Sequence, residues 1–144
     1  LLPGTHRVEQ YGIDKIVQEG FKKKWSNHVL GAGNNAGWKL VSTRVNGDLP
    51  SEDITDVTAV GRNVGLVHVF AGTFIEMLKD GTAKFALPKG LKADVWIDGK
   101  SLGRANAFTA KLTSGRHRIV VRLDAKALPK VLRLESQNVA FLNE

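Results

Sequence analysis

The stretch from Ala93 to Asp124 constrains this chain most, because turn chemistry and side-chain alternation agree along it. It reads ADVWIDGKSLG, RANAFTAKL, TSG and RHRIVVRLD. Apolar-alternating runs are broken by Asp98-Gly99 and Ser114-Gly115, dipeptides with which antiparallel strands reverse direction. A two-residue type I′ turn at Asp98-Gly99 pairs Ile97 with Lys100 and Val95 with Leu102. That turn needs positive φ at both central residues, which Gly99 adopts freely and Asp98 tolerates. A four-residue turn over 113–116 sets Leu112 opposite His117, Ala110 opposite Ile119 and Phe108 opposite Val121, giving one almost wholly apolar face. Antiparallel β structure is the expectation, and it names no reaction.

The rest of the chain extends the pattern. Leu66–Leu78 (LVHVFAGTFIEML) reads as a long strand with a bulge or bend at Gly72. Lys79-Asp80-Gly81 fits a three-residue hairpin loop with Gly81 left-handed, pairing Met77 with Ala83 and Ile75 with Phe85. Trp38–Val45 alternates as a strand closing on Asn46-Gly47. Ser51–Asp56 suits one helical turn with Ser51 as a cap and Glu52 and Asp53 near its start. VLRLE and VAFL supply closing strands near the C-terminal end. Around Ile13–Phe21 a short helix ending near Gly20 and a strand over Lys15–Glu19 are both allowed, and residues 1–12 read as an approach or linker segment. The expected fold is all-β: a jelly-roll-like, two-sheet antiparallel sandwich over 13–144 with at most one short N-terminal helix. Its core should include Val67, Val69, Ile75, Met77, Phe85, Val95, Ile97, Leu112, Ile119, Val121, Leu132 and Leu134.

The 144 residues suffice for one core without metals or disulfides. No Cys is present, so thiolate metal sites, disulfides and Cys nucleophiles are excluded within this sequence. No apolar run approaches the ~20 residues that span a bilayer as a helix. The start, LLPGTHRVEQ, lacks Met and a signal-peptide pattern, so the sequence reads as a piece of a longer or processed protein. A net charge of +7 makes an acidic partner chemically reasonable, though a basic domain needs none.

Enzyme chemistry finds little support in the sequence. The histidines at 6, 28, 68 and 117 lack metal-ligand spacing, and His117 reads as a satisfied core or rim residue. No serine sits in a GxSxG elbow, and GAGNNAG (31–37) follows no strong strand, so it reads as a loop rather than a nucleotide cradle. No catalytic residue, metal or cofactor is assigned. Binding is the better reading. If Val95 and Ile97 face inward, Asp94, Trp96 and Asp98 face outward, where Trp96 with Asp94 and Lys100 suits a sugar ring. Trp25 and Trp38 are further aromatic candidates. The alternative is that Trp96 packs beneath a crossing segment. Arg116, Arg118 and Arg122 share an outward register, and Arg133 faces outward on the next strand. This stripe suits a polyanion or a neighbouring domain, or simply guards exposed strands. Nucleic acid is not expected, because no RNP-type motif is present and few aromatics alternate with the basic residues.

The pattern GLKADVWIDGKSLG…F…LTSGRHRIVVRLD…LPKVLRLE over 90–135 resembles the β-sandwich domains appended to planctomycete-type haem-binding and dehydrogenase-like envelope proteins. There a W-x-D-G-K strand end precedes an L-x-x-G-x-H hairpin and a closing L-R-x-E strand. The matching positions here are Trp96, Asp98, Gly99 and Lys100, then Leu112, Gly115 and His117, then Leu132, Arg133 and Glu135. The DGK turn and G-x-H hairpin are also similar to PEGA-type and protective-antigen-type modules. The resemblance covers about a third of the chain and mostly encodes turns. It implies an extracytoplasmic accessory module of a multidomain protein; with the residues read above, glycan binding is the expected role and docking on a neighbouring catalytic or haem domain the alternative. Haem does not carry over without a CxxCH, nor calcium without the paired acidic ligands.

Overall fold

The computed structural model describes residues 1–5, 13–18, 20–21, 37–58 and 66–142. Its elements are β1 (Leu2–Thr5), α1 (Ile13–Gln18), β2 (Leu49–Pro50), α2 (Ser51–Thr58), β3 (Leu66–Met77), β4 (Gly81–Ala86), β5 (Ala93–Ile97), β6 (Lys100–Ala105), β7 (Ala107–Leu112), β8 (Gly115–Asp124), β9 (Val131–Leu132), β10 (Glu135–Ser136) and β11 (Ala140–Leu142). The chain is an all-β, jelly-roll-like antiparallel sandwich. A six-stranded sheet runs β1-β3-β8-β5-β6, with β11 also on β3. A second sheet runs β10-β4-β7, and β2 pairs with β9. No described helix is long and apolar enough to cross a membrane.

β8 is central, and both its faces bury apolar side chains. Ile119, Val121 and Leu123 enter the core between the sheets, while Val120 is buried on the opposite face. Such a strand belongs between two neighbours, here β3 and β5. β7 buries chiefly Phe108 and takes the smaller sheet, where Phe108 stacks on Phe85 of β4 with ring centroids 5.2 Å apart.

Two expected hairpins are therefore corrected. Segments 78–80 and 113–114 do not join sheet neighbours, because β3 passes to β4 and β7 to β8 across the sandwich. Ile75 and Phe85 share the inter-sheet core without pairing, and His117 pairs with Ile75 rather than Leu112. Alternation tells which residues share a core; it does not separate a partner in the same sheet from one in the opposite layer. Gly81 is not left-handed, since no reversal occurs there. The Asp98-Gly99 turn is as expected, with φ of 50° and 80° and Ile97 opposite Lys100. A register shift then sets Val95 against Gly103 instead of Leu102.

Gly72 is also corrected. β3 pairs with β8 without interruption through Gly72↔Val120, and the glycine makes room for Phe21. A Cβ there would lie 2.4 Å from Phe21 Cε1. Leu2–Thr5 pairs with β3 instead of merely leading in, with Leu2 fully buried. Residues 38–44 form no strand, although the Asn46-Gly47 turn is present, with Gly47 at φ 85°. There are two described helices, not one. Ser51 begins α2 rather than standing before it, and its N–H donates to the Lys130 carbonyl at 2.9 Å. α2 buries Ile54 and Thr58, and α1 buries Ile16 and Val17. Of the expected core, Val69, Ile75, Met77, Phe85, Val95, Ile97, Ile119, Val121 and Leu132 are buried. Leu112 and Leu134 pack against it partly buried, and Val67 is half-buried.

Candidate functional site: the outer face of β8

The six-stranded sheet carries a second apolar layer on the face away from the smaller sheet. Ile16 and Val17 from α1 cover Leu2, Phe70, Trp96, Val120 and Trp38 there, with Ile13 and Phe21 at its edge. This layer decides the fate of the aromatic candidates. Trp96 does point away from the sandwich core, but α1 covers it and leaves 7% exposed, so it is no open platform. Trp38 is 5% exposed, and its ring meets Phe21 edge-on at 4.8 Å. Its Nε1 has no hydrogen-bond partner among the described residues. Trp25 lies outside the described residues.

The arginines of β8 roof this layer. Arg116 lies 3.8 Å over the Phe74 ring, Arg118 5.7 Å from that of Phe21, and Arg122 5.6 Å from that of Trp96. Each pairing places a guanidinium on a π face. Arg122 also donates through Nε and Nη2 to Asp94 Oδ2 at 3.2 and 2.9 Å, and Arg104 reaches the same carboxylate at 3.5 Å. Asp94 is thus committed to internal ion pairs. Arg118 Nη2 donates to the Val17 carbonyl and closes the C-terminal end of α1, where Gly20 turns away at φ 78°. Burial lowers the Arg118 pKa, against the opposing pull of Asp98. Arg133 lies elsewhere. It contacts Glu135 at 3.1 Å and Asp48 at 3.5 Å, and lines a separate hollow of about 290 Å³ with Lys89. The four arginines do not make one patch. A shared outward register says nothing about which strands belong to the same sheet. Lys100 is exposed at the start of β6 and lines neither hollow.

What the fold does bring together is a hollow of about 390 Å³ lined by Gln18, Phe74, Asp98, Arg116, His117 and Arg118. Four pieces of chain meet there: the end of α1, β3, the β5–β6 turn and β8. The I′ turn presents the Asp98 carboxylate to β8. Asp98 Oδ1 accepts from the Arg118 backbone N–H at 2.9 Å, and Oδ2 lies 2.6 Å from His117 Nδ1. His117 Nε2 lies 2.8 Å from the Thr113 carbonyl oxygen. Both ring nitrogens face acceptors, and both contacts are hydrogen bonds only when the imidazole carries two protons. Burial pulls the His117 pKa down, but the bonds to Asp98 and Thr113, with the Asp98 charge, outweigh it and leave the pKa raised. The side chain is 10% exposed. With Nε2 spent on a carbonyl, this Asp–His pair is not arranged as a general base.

His117, expected as a satisfied core or rim residue, has partners at both ring nitrogens, and Asp98, expected in the turn, adopts a φ of 50° there. Their contact follows from β8 lying beside β5, which no local pattern encodes. Gln18 and Phe74 were missed, since a helix-end amide and a strand phenylalanine carry no signal of a site.

Comparison with family models, curated proteins and solved structures gives no match to this chain. The fold and the site define its class: an all-β sandwich with a cationic hollow on the outer face of its larger sheet.

Proposed function

We propose that this domain is a non-catalytic accessory binding module of a larger extracytoplasmic protein, and that its ligand is an acidic glycan seated in the hollow beside β8. The observation that carries the reading is the charge of that hollow. Among the described residues, Arg116 and Arg118 line it with one carboxylate, Asp98, which His117 pairs, and the chain as a whole is at +7. Both oxygens of Asp98 are engaged by β8. The volume suits a single small group rather than a long groove. A neutral sugar finds less support, because Trp96 and Trp38 are buried. The extracytoplasmic setting follows from the resemblance of residues 90–135.

Isothermal titration of an oligogalacturonate against a neutral oligosaccharide of equal length tests the reading. The acidic ligand should bind, weaken as salt rises, and lose about tenfold or more in affinity in Arg116→Gln with an unchanged circular-dichroism spectrum. Equal binding of both ligands, or an Arg116→Gln variant that binds as the native chain does, removes it. Docking on a neighbouring domain takes second place. It draws on Leu40, 80% exposed, and on fully exposed Val45, and ordinary surfaces carry such single apolar side chains.

A further inference from the structure

We infer that ligand binding in this hollow is proton-linked: the doubly protonated ring of His117 balances Asp98, the carboxylate of the hollow that an acidic group must approach. The inference rests on the acidic-glycan reading and adds a condition to it.

His117 stands between the Asp98 carboxylate at 2.6 Å and the Thr113 carbonyl oxygen at 2.8 Å. A neutral imidazole donates through one nitrogen only, so its other lone pair would face an oxygen. The charged groups around the ring come from several elements. On β8 they are its chain neighbour Arg118 and, two places before that, Arg116. From the β5–β6 turn comes Asp98. On β3, Glu76 stands opposite Arg116. At the 78–80 bend, Asp80 Oδ1 accepts the Ser114 N–H at 2.7 Å. Gln18, from α1, is uncharged, and so is Thr113. Among the described residues that line the hollow, Asp98 is the only carboxylate, and it touches the ring itself.

Losing the proton from His117 therefore leaves the Asp98 charge, no longer balanced by an imidazolium, facing the incoming acid. Protonation also joins three separate segments at one ring. Asp98 further holds the backbone of Arg118, whose guanidinium ends α1 beside Gln18. An anion seated there should favour the protonated ring, and by reciprocity the protonated ring should favour the anion. Affinity is then full at low pH and declines as pH rises through the His117 titration in the complex.

The test is isothermal titration of the folded chain with oligogalacturonate, whose carboxylates stay ionised, from about pH 5.5 to about pH 8.5. The native chain should lose about three- to tenfold in affinity across this range, the effect of one unit charge several ångströms away in a wet hollow. Proton uptake on binding should appear as a dependence of the measured heat on the buffer's ionisation enthalpy. His117→Gln should bind more weakly, with a pH-independent affinity and no proton uptake. Asp98→Asn keeps a residue suited to the turn and should move the midpoint to lower pH, which serves if the glutamine variant folds poorly. Saturable binding with the same affinity across the range overturns the proton linkage and leaves the acidic-glycan reading standing. A slope that persists unchanged in both variants also overturns it. Absence of saturable binding at every pH removes both.

Discussion

Phe21 lies over the Cα of Gly72, so close that a methyl group there would sit 2.4 Å from Cε1 and 2.7 Å from Cζ of the ring. The same ring meets Trp38 and Phe74 edge-on, each at a centroid distance of 4.8 Å. Gly72→Ala should therefore push Phe21 out of this cluster and destabilise the domain by about 1–3 kcal/mol. Denaturant unfolding checks it. A midpoint equal to that of the native chain would show that the ring swings aside at no cost.

Stability should depend on pH through His117. Its folded pKa is raised, so its contribution is fully present below the unfolded value, near 6.5. That contribution is lost as pH rises through the folded value. Urea unfolding at a series of pH values should show native stability falling over this window. In Asp98→Asn the fall should move to lower pH or vanish. An identical slope in that variant would assign the effect to another group.

Replacing Arg118 and Arg122 together by Gln should lower the melting temperature. From sequence alone these are outward charges and removable without loss. In the fold, Arg118 satisfies the Val17 carbonyl and Arg122 holds Asp94 through two bonds. A loss of about 1 kcal/mol for each is expected, toward the low end for charged hydrogen bonds because both remain partly wet. Differential scanning calorimetry of the single and double variants decides, and a native melting temperature in the double variant would refute the packing account.

Asn106 should tolerate no acid. Its Nδ2 donates toward the carbonyls of Pro88 and Leu91, both at 2.7 Å, and of Leu87 at 3.4 Å. Asn106→Asp keeps the shape and turns a donor into an acceptor among three oxygens. A loss of about 1–3 kcal/mol is expected, measured by unfolding at neutral pH. The loss should shrink in acid, where the carboxyl regains a proton to donate.

Sequence alone shows the β class, the Asp98-Gly99 turn and most core positions, because alternation and turn residues are local signals. Strand neighbours are not local. Thr113–Arg116 and Lys79–Gly81 look like hairpin loops because glycine and polar residues suit any abrupt change of direction, within a sheet or between sheets. The outer layer was hidden for a related reason. Trp96 and the arginines of β8 were correctly placed on the outward face, but whether that face meets water depends on α1, whose six residues gave helix and strand equal support. The hollow unites residues from four separate pieces of chain, so no single stretch announced it.

The pairing of β3 with β8 leads into that of β4 with β7. From Met77↔Gly115 to Gly81↔Leu112 one strand advances four residues and the other three. The two sheets are thus built on one long ribbon folded over at 78–80 and 113–114, closed at Ala86↔Ala107, and the segment that joins those two residues contains the β5–β6 hairpin. The consequence concerns the order of assembly. Such a ribbon can close like a zip from the two-residue turn at Asp98-Gly99, each step adding only a short loop although its outermost partners, His68 and Asp124, are far apart in sequence. Folding should then be faster than that separation suggests. Substitutions near the closed end, such as Phe108→Ala, should slow folding, whereas those near the open end, such as Leu123→Ala, should mainly speed unfolding. Stopped-flow measurement of both variants would show it, and the reverse pattern would place the start of folding at the open end.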